Sequence, residues 1–466
     1  MTTETTLYAV LIIGALILAG KWIRRKLRLF QRLFLPSSII AGALALLLGP
    51  QVLGRLAPVD SLDQGLWNEA LIDVWSAMPG LLISVVFATL FLGKSILPPG
   101  EIWRKAGPMV AHGQTLAWGQ YVVGLSLVVL MLIPLTGIDP MAGALIEIGF
   151  EGGHGTAAGL GDTFRELGFA SGADLALGMA TFGVVAGVVL GTVLINWAVW
   201  RGHLDAPDDL SDEESEAMSS PENMDTPGPE SRLQDQSIEP LSVQLGFVAI
   251  AIGLGWLLLE GLVLAERHLL IPMGWPELME HIPLFPLAMI GGVLVQLVGL
   301  KLGFSRLMDR RLMNRIGGAA LDLLIVAALA TLSLEVLGDN MVVLLSLILA
   351  GVAWNLFGFL VLARRMFPKD WVTNGLANFG QGMGMTVVGL LLVRMSDPRG
   401  RSGAMEAFGY KQLMFEPVVG GGLFTAASLP LIYQFGPIPV LAGTSALMLF
   451  WLIFGLWKFG PERSSS

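Results

Sequence analysis

The sequence predicts an all-α polytopic membrane protein built as an inverted-topology repeat. Two halves each contribute five spans and one re-entrant hairpin, and one extra C-terminal span follows. Three observations predict this. Of 466 residues, 54% are apolar and only 14% charged, with a mean hydropathy of +0.70; soluble domains carry about a quarter charged residues. Apolar runs long enough to cross about 30 Å of hydrocarbon recur in two sets, separated by an acidic stretch. Each set carries a short glycine-rich stretch at a matching place. These are Gly152-Gly153-His154-Gly155-Thr156 and Gly380-Gln381-Gly382-Met383-Gly384-Met385-Thr386.

In chain order, the first repeat (1–200) has apolar runs at about 7–23, 33–57, 75–97, 108–135 and 175–200. The second repeat (241–437) has them at about 241–263, 284–304, 316–337, 341–363 and 413–436, and the extra span at about 438–458 lies in the closing segment 438–466. The segments at about 139–165 and 370–393 hold the glycine stretches and are expected to dip in and return on their own side. From the first span to the glycine stretch the two halves run nearly equal distances, so hairpins of opposite orientation are expected to bring their tips together near the midplane.

Lysine and arginine bias orients the spans. With the N-terminus outside, inside turns collect 24 of the 28 basic residues, including Lys21–Arg32, Lys301–Arg315, Arg364–Lys369 and Arg394–Lys411. Outside turns hold Arg55, Arg165 and Arg267, and Arg232 falls in the linker. The C-terminus is then expected in the cytoplasm. A cleavable signal places positive charge before its apolar stretch. Here Lys21, Arg24 and Arg25 come after it, which reads as a first spanning helix.

Residues 201–240 carry a net charge of −10 within a total of −9, so the remainder is close to neutral. That stretch is too polar and acidic to bury a core and is expected to be a disordered cytoplasmic linker. No basic stripe suggests nucleic acid. The absence of cysteine excludes disulfides, thiolate zinc sites and cysteine nucleophiles.

Glycine in such tips lets main-chain N–H and C=O groups approach a ligand. Half-helix N-termini suit a carboxylate, and unwound carbonyls suit Na⁺. The expected substrate contacts are Gly152, Gly153, His154, Gly155 and Thr156 on the first tip and Asn378, Gly380, Gly382, Met383, Gly384 and Thr386 on the second. Gln120 and Asn355 fall mid-span before the two hairpins. Thr156, Thr386 and Asp322 are the candidate sodium ligands; Asp322 is an ionisable group within a span, which is costly in hydrocarbon without a function or a partner. Glu147 and Glu416 read first as satisfied polar groups at loop ends, and Glu151, beside the first tip, is with Asp322 a candidate proton carrier if coupling is not to sodium. Glycine stretches can also simply permit close helix packing, but their pairing at matched places favours a site. Trp22, Trp103 and Trp200 read as interfacial anchors. Neither stretch has dinucleotide or phosphate-loop spacing, and His154 has no histidine or cysteine cluster around it.

The residues resemble the bacterial sodium/glutamate symporter family. The resemblance is carried by Gly152–Thr156 with Ala157 and Ala158, by Met179-Ala180-Thr181-Phe182-Gly183, and by Gly380, Gly382, Gly384 and Thr386. It implies a homodimeric inner-membrane symporter that imports an anionic amino acid, glutamate, with Na⁺ as coupling ion and no other cofactor. It also implies an elevator-like movement of the hairpin-bearing part. Val387 stands where the family has proline, and Glu151 where it has a small hydroxyl residue. A carrier for another carboxylate, or a proton-coupled one, is the alternative within transport. An ion channel would need a continuous pore, and a membrane enzyme a nucleophile or metal cluster that the sequence does not supply.

Overall fold

The computed structural model describes residues 3–33, 35–56, 65–94, 98–204 and 240–460, and all regular structure among them is helical. Most of the expected acidic linker, 205–239, and the tail 461–466 lie outside the described residues.

The first long helices are α1 (Thr3–Lys26), α2 (Ser37–Leu47), α3 (Glu69–Thr89) and α4 (Pro99–Leu127). Next come the short α5 (Leu145–Phe150) and α6 (Gly153–Gly159), then α7 (Gly172–Trp200). The second half contains α8 (Pro240–Ala265), α9 (Leu284–Leu302), α10 (Arg310–Ala330) and α11 (Met341–Phe357). It closes with α12 (Trp371–Ser396), α13 (Ala404–Phe415), α14 (Leu423–Phe435) and α15 (Pro437–Phe459). Local chemistry sets several ends. α1 closes with Arg24, Arg25 and Lys26 against its negative C-terminus. Asn68 caps α3 by accepting from Leu71 N–H, and Asp309 caps α10 through Arg311 and Leu312 N–H.

Eleven helices among the described residues are long and apolar enough to cross a membrane. That number equals the expected span count, but the membership differs. Trp371–Ser396 meets the length criterion, yet Gly384 and Met385 leave helical geometry, and Met385 takes φ 64°. A Cβ on Gly380 would fall 2.7 Å from Gly389 Cα. Nine residues of straight helix would separate the two glycines by about 13 Å, so the chain reverses at Gly384–Met385. The expected tenth span, 413–436, is not one helix. α13 ends at Phe415, residues 416–422 are non-helical, and α14 starts at Leu423. Pro417 supplies no N–H to continue the helix, and Gly420 and Gly421 take φ of 73° and 98°. Two expected boundaries also shift toward the N-terminus, the third span to Glu69–Thr89 and the eighth to Arg310–Ala330.

Packing sorts the helices into two bundles. α1, α2 and α3 pack with α8, α9 and α10. α3 lies on α10, and α2 against α10 is matched by α9 against α3. The second bundle gathers α4 to α7 and α11 to α15, with α15 along α4 and α12 along α7. The bundles touch where α6 meets α3 and α10, and where α9 meets α14.

Candidate functional site

α7 is the ruler on which both reversals are measured. Gly149 faces Ala176 and Met179, Phe150 faces Gly183, His154 reaches Thr181, and Gly161 faces Ala173. The chain therefore climbs along α7 and returns, turning at Gly153, whose φ is 69°. The second hairpin comes from the other end of α7. Trp371 packs on Trp197, Leu392 lies against Gly191, and Met383 lies against Gly183 and Gly187. The two tips meet beside the middle of α7, where a Cβ on Gly153 would collide with Met385 Sδ.

Most of the motif glycines serve close approach. Gly152 is helical, and Gly155, Gly380 and Gly382 lie in helical segments. The Gly382 carbonyl accepts from Gln120 Nε2 at 2.7 Å and Asn355 Nδ2 at 3.0 Å. These two mid-span amides thus grip the second tip from α4 and α11. Asn378 Nδ2 donates to His112 Nδ1 (3.0 Å) and Met109 O (3.1 Å). His112 Nε2 lies 3.1 Å from Gly358 O.

A third irregular segment, 416–422, completes the centre. Glu147 holds it: Oε1 accepts from Gly420 N–H (2.7 Å) and Thr425 Oγ1 (2.8 Å), and Oε2 accepts from Tyr121 OH (2.6 Å). A Cβ on Gly421 would touch Thr156 Oγ1 at 2.5 Å, which brings this segment against the first tip. Thr386 Oγ1 donates to Glu416 Oε1 (3.2 Å) and accepts from Gln412 Nε2 (3.2 Å). Lys411 Nζ and Gln412 Nε2 both donate to Gln381 Oε1 at 2.8 Å.

Seven buried atoms here have no hydrogen-bond partner: Gln120 Oε1, Glu151 Oε2, His154 Nδ1, Thr156 Oγ1, Asn355 Oδ1, Asn378 Oδ1 and Glu416 Oε2. Six are oxygens. Buried polar groups are normally satisfied, so these leftover oxygens make the centre a candidate site that could hold a cation or the N–H groups of a substrate.

Of the expected site residues, the structure brings together those of both tips with Gln120 and Asn355. It does not bring Asp322 to them. Asp322 lies on α10, inside the other bundle, with Lys21 of α1 within its electrostatic reach. His154 turns its Nε2 toward Thr181 Oγ1 (3.0 Å). Lys411, counted from the sequence among the inside-turn charges, is instead buried at 1% exposure. His112, Tyr121, Gln412 and Thr425 belong to the centre without having stood out in the sequence. For His112 the polar run His112-Gly113-Gln114-Thr115 within an apolar helix is a visible signal; Tyr121, Gln412 and Thr425 have none.

The fold and this centre define a multi-pass membrane protein with two interrupted segments whose tips meet beside the middle of α7. The comparison with known families makes that specific. Residues 2–392 match the family model of the sodium/glutamate symporter, and the chain belongs to the sodium/glutamate symporter family. Sodium/glutamate symporters of Escherichia coli (strain K12) and Shigella flexneri are each 24% identical to it over 366 residues. The match covers 78% of this chain and 83% of each relative.

Proposed function

We propose that the protein is a sodium-coupled symporter that imports glutamate across a bacterial inner membrane. The observation that carries this reading is the meeting of two hairpin tips at the middle of α7, where Gln120 and Asn355 grip the Gly382 carbonyl and each keeps an unpartnered oxygen. Main-chain and hydroxyl oxygens at the tips, Thr156 and Thr386 among them, hold Na⁺, while tip N–H groups receive the substrate carboxylate. The two halves are inverted repeats, and the matched pairing of α2 with α10 and α9 with α3 supports that relation. The hairpins re-enter from opposite faces, with the N-terminus outside and the linker and C-terminus in the cytoplasm. Transport proceeds by an elevator movement of the hairpin-bearing bundle against the other, in a homodimer.

Uptake of labelled glutamate, aspartate and di- and tricarboxylates into proteoliposomes, with and without a sodium gradient, tests the reading. Glutamate accumulation driven by sodium is expected; uptake that ignores sodium and follows an imposed pH gradient overturns the coupling. The buried, unpartnered Glu151 and Glu416 oxygens favour proton coupling as the second reading.

A further inference from the structure

Lys411 is a buried amine at the edge of the meeting tips, and its surroundings say what it stands for. An ammonium has three donors. One is used by Gln381 Oε1 at 2.8 Å. Its Nζ sits 3.7 Å from the centre of the Phe415 ring and 5.3 Å from that of Phe408, the placement that draws a cation to an aromatic face. Lys411 Nζ and Asn378 Oδ1 lie against the same bare backbone, that of Gly113, where a Cβ would meet Nζ at 2.8 Å and Oδ1 at 3.2 Å.

The orientation of Asn378 is fixed by its neighbours. Its amide nitrogen is committed to Met109 O and His112 Nδ1, so its oxygen is left facing the lysine side without a partner. The carboxylates within electrostatic reach of Lys411 are Glu151 from the first tip and Glu416 from the segment after α13, each with an unpartnered oxygen. His112 faces it from α4. This niche is lined by acceptor oxygens and aromatic faces. A carboxylate would find repulsion there, whereas a monovalent cation would find ligands.

We infer that Lys411 is a tethered cation filling a monovalent-cation niche between α13, α4 and the second hairpin, and that it takes the place of a dissolved coupling ion there. The inference rests on reading the meeting tips as the transport site. Lys411 also lies beyond the segment, 2–392, that matches the family model. The ammonium offsets the Glu151 charge beside the site and ties the second hairpin to α13 whether or not Na⁺ is bound. A chain with this residue therefore needs one ion fewer from solution at this place.

The test uses the purified full-length protein and two variants, Lys411→Met and Lys411→Met/Glu151→Gln. Thermal unfolding without substrate is followed in NaCl, LiCl, methylammonium chloride and choline chloride at equal ionic strength. For Lys411→Met, Na⁺ or methylammonium is expected to raise the midpoint well beyond its effect on the unaltered protein, with choline inert; the double variant should lose much of that response. In proteoliposomes, the sodium dependence of Lys411→Met uptake should steepen by one ion per turnover. A Lys411→Met midpoint and sodium dependence like those of the unaltered protein overturn the inference. So does a raised glutamate KM with an unchanged sodium response, which would make Lys411 the substrate's partner. If Lys411→Met does not fold, failure of both methylammonium and the second substitution to restore folding overturns it as well. Absence of sodium-driven uptake by the unaltered protein would sink the proposed function, yet the stability measurements would still decide the niche.

Discussion

At the scale of single residues, neighbouring glycines in one motif do different work. Gly153 sits at φ 69°, and a Cβ there would strike Met385 Sδ on the opposite tip. Gly155 is helical, and its Cβ would meet only Ile83 Cδ1 at 3.1 Å and Leu321 Cδ1 at 3.4 Å. Gly153→Ala is therefore expected to abolish uptake, paying about 1 kcal/mol for the backbone besides separating the tips. Gly155→Ala should retain most activity, and uptake normalised to protein in the membrane checks the contrast. The proposed sodium ligands can be ranked in the same way. Thr156 Oγ1 has no partner, whereas Thr386 Oγ1 is engaged by Glu416 and Gln412. Losing one oxygen ligand is expected to cost about 1–3 kcal/mol, by analogy with an unsatisfied buried polar group, or roughly fivefold to more than a hundredfold in affinity. Thr156→Ala should raise the half-saturating sodium concentration by that range and Thr386→Ala by less. Asp322→Asn should leave it nearly unchanged, since Asp322 lies on α10 in the other bundle. A larger effect from Asp322 would move the ion out of the tips. The sequence made Gly153 and Thr156 legible because they stand in a dense motif. It hid Lys411 and Gln412 because a single polar residue acquires its meaning from a partner; Gln381, thirty positions away, is theirs.

At the scale of elements, irregular backbone decides the site, and composition marks such backbone unevenly. The hairpins expected at 139–165 and 370–393 have their reversals at Gly153 and Gly384–Met385, but length alone would read Trp371–Ser396 as a plain span. The broken helix at 416–422 went unread although Pro417 and Gly420–Gly422 advertise it, because apolar residues flank it on both sides. What keeps that segment in place is Glu147, a carboxylate with three donors drawn from Tyr121, Gly420 and Thr425. Removing the acceptor strands all three, each at about 1–3 kcal/mol. Glu147→Ala is thus expected to lower the thermal midpoint of the purified protein more than Tyr121→Phe, which gives up one donor only. Equal midpoints for the two would show that the segment is held by packing and that the carboxylate is incidental.

For the whole molecule, the question is which bodies move. The hairpins, α4, α7 and α11 to α15 form one packed unit, and α1 to α3 with α8 to α10 form the other. Their contact is thin and apolar where α6 crosses α3: a Cβ on Gly159 would lie 3.2 Å from Ile83 Cβ. Gly159 has no positive φ, so a side chain there meets a neighbour but no backbone strain. Disulfides form across Cβ separations of about 3.5–4.5 Å, which a small adjustment reaches. The chain has no cysteine of its own, so Ile83→Cys with Gly159→Cys introduces one possible bridge. If the hairpin bundle slides as an elevator, oxidising that pair should arrest uptake, and reduction should restore it. Each single variant should transport under both conditions, which separates arrest from damage. Quantitative cross-linking with undiminished uptake would mean that α3 and α6 never part during the cycle. The moving body would then have to be smaller than the bundle, confined to the second hairpin, since Gly421 of the 416–422 segment itself lies against Thr156 of α6 and Phe87 of α3.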